Sequence, residues 1–274
     1  MVQKVTYFIS DLHLGAHYLP HPASEQRAVR FLKSIKATAS ELYLLGDILD
    51  YWFEYRNVVP QGHVRFFGAL AELADSGVGI TWVTGNHDVW LRTYLRDEIG
   101  IRVLHKSDTV QISGHKFFIS HGDDVGERPL GYRLMRGIFY NPVCQWLYAG
   151  VHPRWTTAMA NGISTHNRTS RWTKTSGAKE LARPMSDPLT LDAAREPGPA
   201  QRRLTSWANE HSALHPDVEY YVTGHLHVAR TITLETGKTL TVLGDWISRF
   251  TYATFNGNEV TLHQFKDDKT TEAL

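Results

Sequence analysis

Side chains that can bind metal ions recur after short apolar runs at five places in this chain. The clusters are Asp11-Leu12-His13, Gly46-Asp47, Gly85-Asn86-His87-Asp88, His121-Gly122-Asp123 and Gly224-His225-Leu226-His227. They supply three oxygen ligands and four imidazoles, namely Asp11, His13, Asp47, Asn86, His121, His225 and His227. Two divalent cations about 3.5–4 Å apart need a bridging carboxylate and several nitrogen and oxygen ligands. The set therefore suits a pair of cations better than a single one.

The ligand types also narrow the choice of metal. None of the candidates is a thiolate, which argues against a structural zinc site. Mixed carboxylate, amide and imidazole ligands suit manganese, iron or catalytic zinc. We therefore expect two divalent metal ions, with Mn²⁺ as the first choice and Fe or Zn as alternatives.

Each of these residues taken alone has an ordinary explanation. A single histidine is more often a surface or hydrogen-bonded core residue than a ligand, and an aspartate after a strand can cap a helix. No structural requirement places a metal-binding side chain after every one of five strands. The joint pattern therefore favours a metal site.

The elements that must position these clusters are the apolar runs before them. The runs cover residues 5–9, 42–45, 80–83, 117–119 and 220–222. Runs of this kind are typical of strands buried on both faces of a sheet. Helical periodicity separates the first three, over residues 28–35, with Ser24 as a candidate cap, and over 64–74, so the chain is predicted to be α/β. Two more strands are predicted at residues 239–243 and 259–265. Ligands of such sheets bind at the carboxyl ends of the strands.

Residues 130–198 interrupt this pattern, with helical periodicity and no predicted strand. We predict one domain over residues 1–274 with an inserted helical lid at 130–198. Between residues 128 and 183, nine basic residues accompany a single acid, Glu180, and seven aromatic residues lie among them. Apolar helix faces can shelter acyl chains while arginine and lysine contact phosphates. An exposed lid of this kind also favours peripheral contact with an anionic membrane.

Composition excludes several classes of protein. With 42% hydrophobic and 21% charged residues, the chain of 274 residues has the balance of a folded globular protein. Its net charge of +1 argues against a general nucleic-acid partner. A single cysteine, Cys144, suits a reducing compartment, and neither a signal-peptide pattern nor a bilayer-spanning run is found. We expect a cytoplasmic protein, peripheral at most to the inner face of a membrane.

The five clusters resemble the motifs of the calcineurin-like metallophosphoesterases, which are D-x-H, G-D-x-x-D, G-N-H-D, a lone histidine and G-H-x-H in this order. Asp50 is the last residue of the second motif here. The resemblance implies a sandwich of two mixed β-sheets flanked by helices, and hydrolysis of a phosphoester by a water activated between two cations. It implies these ligands: Asp11, His13, Asp47 and His227 for one cation, and Asp47, Asn86, His121 and His225 for the other. Asp47 would bridge the two.

The resemblance also implies catalytic roles for His87 and Asp50. The histidine of G-N-H-D lies beside the metals in this family, where it can protonate the leaving oxygen or contact the phosphate. Asp50, three residues after Asp47, would orient His87. A charged partner raises the pKa of an imidazole and favours its acid form.

Within this family, the chain is similar to the UDP-2,3-diacylglucosamine hydrolases of lipid A synthesis. These proteins combine a G-D-x-x-[DE]-x-W block with an S/M-H-G-D block and a helical lid after it, as residues 46–52, 120–123 and 130–198 do here. The similarity implies hydrolysis of a nucleotide-linked glycolipid to UMP and 2,3-diacylglucosamine 1-phosphate. The substrate contacts implied are Asn86, His87, Asn167, Arg168 and Arg171. No dedicated protein partner is predicted.

Two features depart from these hydrolases and leave alternatives. Many of them have G-N-R-D where this chain has His87, and Pro129-Leu130 replaces the acid before their Gly-Tyr pair. One alternative is a phosphodiesterase that acts on nucleotides or single-stranded nucleic acid, because interleaved aromatic and basic residues can stack bases and pair with phosphates. Another is a non-enzymatic scaffold, although all seven ligand types are present.

Overall fold

The computed structural model describes residues 4–126, 130–156, 189, 192 and 195–267. Two mixed sheets pack face to face in this part of the chain, and helices cover their outer faces. The predicted two-sheet α/β sandwich is therefore confirmed.

The first sheet has six strands. They are β1 (Val5–Ile9), β2 (Ala39–Leu45), β3 (Gly79–Val83), β4 (Arg102–Leu104), β10 (Thr251–Phe255) and β11 (Val260–Gln264). The order across the sheet is β11-β10-β1-β2-β3-β4. The first four strands run parallel to one another, and β10 and β11 are antiparallel to their neighbours.

The second sheet has five strands. They are β5 (Asp108–Ile112), β6 (His115–Ser120), β7 (Tyr220–Thr223), β8 (Ala229–Thr233) and β9 (Thr239–Leu243). The order is β5-β6-β7-β9-β8, with β6, β7 and β9 parallel and the two edge strands antiparallel.

In the described part of the chain, six helices flank the sheets or extend from them. They are α1 (Ala23–Ile35), α2 (Val64–Asp75), α3 (Tyr94–Ile99), α4 (Leu130–Tyr140), α5 (Pro142–Ala149) and α6 (Pro199–Leu214). The proposed cap at Ser24 is wrong, since α1 begins at Ala23 after Pro22 and has no side-chain cap. Nothing in the sequence analysis predicted α6, which covers the second sheet.

The core has three layers because the central strands are apolar on both faces. On β1, Ile9 faces α1 and α2, whereas Phe8 faces the second sheet. On β6, Phe117 packs between the sheets and Phe118 packs under α6. This burial explains why the strands carry nearly continuous apolar runs. It also holds the carboxyl ends of the strands, where the candidate ligands lie, on a rigid support.

The predicted insertion begins with α4 and α5. Asn141 ends α4 and caps α5, because its side-chain oxygen accepts hydrogen bonds from the backbone N–H groups of Val143 and Cys144 at 2.8 and 3.2 Å. Most of residues 157–194 lie outside the described residues, so the far boundary of the lid stays a prediction. None of the helices in the described part of the chain has both the length and the apolar character needed to span a bilayer.

Candidate metal centre

The predicted ligands lie in loops that follow five parallel strands. Asp11 and His13 follow β1, Asp47 follows β2, Asn86 follows β3, His121 follows β6, and His225 and His227 follow β7. The carboxyl ends of these strands point to the same edge of the sandwich. Residues 214 positions apart in the chain thereby come into contact, as the hydrogen bond from the His225 N–H to Asp11 Oδ2 shows.

The backbone at these positions is unusual. Eight non-glycine residues of the described chain have positive φ, and five of them are predicted ligands. The five are Asp11 (55°), His13 (46°), Asp47 (51°), His225 (68°) and His227 (52°). Non-glycine residues avoid this left-handed region, and such strain is concentrated at functional sites. The surrounding structure therefore holds these side chains in place at a cost in free energy.

The first group of ligand atoms comes from Asp11, His13 and His227. One ligand atom from each lies within 4.8 Å of the others. Asp11 Oδ1 is 3.6 Å from His227 Nε2 and 4.0 Å from His13 Nε2. These separations are too long for hydrogen bonds and leave space for an ion between the atoms.

Buried atoms in this group lack the partners that buried polar atoms normally have. Within the described residues, Asp11 Oδ1 and His13 Nε2 are buried and have no hydrogen-bond partner. Leaving such atoms unpaired is costly in a folded protein. A bound cation would satisfy both, so these residues fit a metal ion.

The second group comes from Asp47, His121 and His225. Asp47 Oδ2 lies 3.3 Å from His121 Nε2, which is 3.2 Å from His225 Nδ1. Asn86 follows Gly85, which lies directly against Asp47, and its buried Oδ1 has no hydrogen-bond partner among the described residues. Asn86 Oδ1 is thus a further buried ligand atom in the metal loops that lacks a hydrogen-bond partner among the described residues.

Asp47 lies between the two groups. Its Oδ2 is 3.7 Å from His13 Nε2 of the first group and 3.3 Å from His121 Nε2 of the second. Its Oδ1 accepts a hydrogen bond from the His87 backbone N–H at 2.9 Å. The position of Oδ2 is the one that a bridging carboxylate requires.

Hydrogen bonds on the far side of each ring determine which nitrogen is available to a metal. His121 Nδ1 lies 2.9 Å from the carbonyl oxygen of Leu45, which can only accept, so Nδ1 carries the proton. His13 Nδ1 likewise faces the Asp50 carboxylate at 3.1 Å. In the neutral form of both rings, Nε2 carries the lone pair and faces the site, as metal-binding histidines require.

Burial and charge set the protonation of these groups. Burial lowers the pKa of His13 to about 3, so its imidazole is neutral at physiological pH. Burial would lower the pKa of His121, but Asp47 and Asp11 outweigh it and raise this pKa well above its usual value. A proton on His121 and a cation in the site therefore compete for the same carboxylates.

Gly85 allows the loops of β2 and β3 to approach each other. A Cβ atom at this position would lie 2.2 Å from Asp47 Oδ1 and 2.4 Å from Asp47 N. No side chain can be accommodated at these distances. The glycine of the G-N-H-D motif is therefore required for the position of Asp47.

A protein-family comparison agrees with this geometry. The family model described as calcineurin-like phosphoesterase matches residues 5–229, which include every loop of the site. The chain belongs to the calcineurin-like phosphoesterase family. The predictions of the family and of a metal-dependent hydrolase are thereby confirmed, and membership implies divalent metal ions.

Relatives of this phosphoesterase carry a more specific name. A UDP-2,3-diacylglucosamine hydrolase of Porphyromonas gingivalis is 41% identical over 264 residues, which cover 95% of this chain and 97% of that one. A protein of the same name from Serratia proteamaculans is 26% identical, covering 95% and 98% of the two chains. A third, from Edwardsiella ictaluri, is 31% identical over 62% of this chain and 64% of that one.

His87 of the phosphoesterase lies beside both groups. Its Nδ1 is 2.9 Å from the backbone oxygen of Asp50 and 3.4 Å from the Asp50 carboxylate. Asp50 is thus in contact with His87, where the sequence analysis placed it, but its carboxylate lies closer to His13. A ring nitrogen of His87 also lies within 4.8 Å of ligand atoms of His13 and Asp47, so its role stays a prediction.

Asp88, the last residue of the G-N-H-D motif, links the metal loops. Its buried carboxylate accepts hydrogen bonds from the backbone N–H groups of Ile48 at 2.9 Å and Gly85 at 2.6 Å. It also accepts one from Trp82 Nε1 at 3.2 Å. Asp88 therefore fixes the loop of Asp47 relative to the loop of Asn86.

The first helices of the insertion contact the edge of the site. Tyr132 and Arg136 of α4 both reach the buried carboxylate of Asp123, the hydroxyl of Tyr132 at 3.0 Å. Trp90, three residues after His87, donates a hydrogen bond from Nε1 to the backbone oxygen of Phe139 at 2.9 Å. The remaining predicted substrate contacts, Asn167, Arg168 and Arg171, lie outside the described residues.

Asp245 lies behind His227 and was not among the residues predicted from the sequence. Its Oδ2 is 3.6 Å from His227 Nδ1, on the side of the ring away from Asp11. A signal was present, because Asp245 follows an apolar strand and a glycine, as Asp47 does. The strand at residues 239–243 was predicted, but the Gly244-Asp245 pair that follows it was not recognised as a further motif.

Proposed function

We propose that this phosphoesterase hydrolyses the diphosphate of UDP-2,3-diacylglucosamine to UMP and 2,3-diacylglucosamine 1-phosphate. The observation that carries the proposal is the 41% identity, over nearly the full length of both chains, to a protein named for this activity. The phosphodiesterase alternative has no comparable support, and the scaffold alternative is opposed by unpaired buried ligand atoms in the site.

The proposal assigns two metal ions, with Mn²⁺ as the first choice and Fe or Zn as alternatives. The first cation would be held by Asp11, His13, Asp47 and His227. The second cation would be held by Asp47, Asn86, His121 and His225. Support comes from the two groups of converging atoms and from the position of Asp47 Oδ2 between them.

When bound, two such cations would activate a water as nucleophile and neutralise charge on the phosphoryl oxygens. The water would lose a proton as its oxygen attacks the phosphorus on the uridine side, and the bond from this phosphorus to the bridging oxygen would break. His87 gives the proton on its Nε2 to that leaving oxygen, which departs with the lipid phosphate. Asp50 would orient His87, since its backbone oxygen accepts from His87 Nδ1 and its carboxylate lies 3.4 Å from the same nitrogen.

The insertion would bind the lipid half of the substrate. Residues 130–198 form a lid within a single domain of residues 1–274, and α4 and α5 expose large apolar side chains such as Leu134, Trp146 and Leu147. These faces suit acyl chains and peripheral contact with an anionic membrane. Asn167, Arg168 and Arg171 would contact the sugar phosphate, and Asn86 and His87 the diphosphate.

Hydrolysis in ¹⁸O-labelled water tests the reaction and the site of attack. We expect Mn²⁺-loaded protein to release UMP that contains the label. Label in the lipid phosphate alone would contradict attack at the uridine side. Faster hydrolysis of short oligonucleotides than of the lipid nucleotide would favour the phosphodiesterase alternative.

A further inference from the structure

Arg249 lies between two buried carboxylates near the candidate metal centre. Its Nε and Nη2 contact the two oxygens of Asp192 at 2.5 and 3.1 Å. Its Nη1 donates to Asp245 Oδ2 at 2.9 Å. Both acids are almost completely buried, so the three groups form a desolvated ion-pair network.

Asp245 has one oxygen committed to the backbone and one directed at the site. Its Oδ1 accepts hydrogen bonds from the N–H groups of Ile247 and Ser248 at 2.9 and 2.7 Å. Its Oδ2 contacts Arg249 and faces His227 Nδ1. The guanidinium of Arg249 and these backbone N–H groups together hold the oxygen behind His227 in place.

The other nitrogen of His227 points to the site. Nε2 lies 3.6 Å from Asp11 Oδ1. Asp245 Oδ2, 3.6 Å from Nδ1, is at an ion-pair rather than a hydrogen-bond distance, and a carboxylate on this side of the ring favours the form that carries a proton on Nδ1 and leaves Nε2 for a metal. The adjoining backbone is held as well, since the Trp246 N–H, next to Asp245, donates to the backbone oxygen of Asp11 at 3.0 Å.

Asp192 connects this network to the insertion. It belongs to the end of the predicted lid, and its Oδ2 accepts a hydrogen bond from the Ala229 N–H at 2.8 Å, two residues after His227. Arg230 also donates to the backbone oxygen of Asp192. The end of the lid is thus bound to the strand that begins directly after the last metal motif.

We propose that Arg249 is a positioning residue for the first cation, holding Asp245 behind His227 and joining this ligand through Asp192 to the end of the lid. The inference rests on the proposed function only in treating His227 as a ligand. Because the guanidinium contacts both carboxylates with separate nitrogens, lysine cannot reproduce its geometry.

The test is binding of Mn²⁺ to the full chain in the absence of substrate. Calorimetric titration measures the affinity for each cation, and electron paramagnetic resonance distinguishes a coupled pair from a single ion. We expect Arg249→Lys and Asp245→Asn to lower the affinity for one of the two Mn²⁺ ions by about 10–100-fold. The resonance spectrum of a coupled Mn²⁺ pair should then be replaced by that of a single ion. Asp192→Asn should have a smaller effect in the same direction.

Arg30→Lys is the matched control. Arg30 lies on α1, outside the metal loops, and makes a similar two-nitrogen contact with Asp267. The Arg30→Lys protein should bind both cations as the wild type does. Melting temperatures of the metal-free proteins identify any variant that fails to fold. If Arg249→Lys or Asp245→Asn fails to fold, Asp192→Asn is the test, because it leaves Arg249 and Asp245 unchanged.

Wild-type affinity for both cations in the Arg249 and Asp245 variants would overturn the inference, as would a lower melting temperature with unchanged metal binding. A wrong assignment of the substrate would give a different result. A wild-type protein that binds two cations but does not hydrolyse the lipid nucleotide would refute the substrate alone.

Discussion

The carboxylate of Asp50 lies 3.1 Å from Nδ1 of His13, closer than to His87, whose Nδ1 is 3.4 Å away. One acid thus contacts both a candidate ligand and the candidate proton donor. The carboxylate of Asp50 can thus orient both His13 and His87, and measurements of metal binding and of kcat on one variant separate these two roles.

Asp50→Asn should lower the affinity for the first cation and slow turnover. The amide has no negative charge to hold the Nδ1 proton of His13, so we expect a fall of about 10-fold or more in affinity for one Mn²⁺. Calorimetric titration and kcat measure the two effects. Normal binding of both cations with a reduced kcat would mean that Asp50 acts on His87 alone.

Asp47→Ala should abolish turnover and lower the content of both metals. The reason is that Asp47 Oδ2 lies between the two ligand groups. Elemental analysis of protein purified without chelator gives the metal content. Asp75→Ala, at the exposed end of α2, is the control. Loss of only one ion in the Asp47 variant would argue against a bridging role.

His87→Ala should keep both metals and lose about 10²–10⁴-fold in kcat, as expected for removal of a general acid. Metal content and kcat are compared with those of His263→Ala, which removes a histidine of β11 bonded to Thr254. Because a His87 nitrogen lies within 4.8 Å of His13 and Asp47, loss of metal is the decisive contrary result. It would make His87 a ligand.

Gly85→Ala should disturb metal binding without removing any ligand. The new Cβ would lie 2.2 Å from Asp47 Oδ1, so the carboxylate or the loop must move. We expect at least about a 10-fold loss in metal affinity. Gly79→Ala, at the start of the strand that precedes Gly85, is the control, since the nearest atom to its Cβ would be 3.8 Å away. Equal metal affinities in the two variants would show that the contact is unimportant.

Trp90→Phe should loosen the lid while leaving the metal site intact. It removes the hydrogen bond to the Phe139 backbone oxygen, at a cost of about 0.5–1.5 kcal/mol. We expect a higher KM for the lipid nucleotide and unchanged hydrolysis of bis-p-nitrophenyl phosphate, which has no acyl chain. An equal effect on both substrates would place Trp90 in the chemistry instead.

The sequence by itself determined the family, the two-sheet fold and the set of candidate ligands. These features have local signals in the sequence, because each ligand belongs to a short motif that follows an apolar run. Strands such as β4 and β8 were missed. The first has three residues, and the second is a partly exposed edge strand, so neither produces a continuous apolar run.

Only the tertiary structure decided how the ligands are held. The contacts from Asp50 to His13, from Asp88 to Ile48 and from Asp245 to His227 join loops that follow different strands. No local pattern encodes them, since they depend on which loops meet at the edge of the sandwich. The convergence of these loops, and the exclusion of water around them, also decides which ring nitrogen is available to a metal. The same convergence pairs Arg249 with two buried acids.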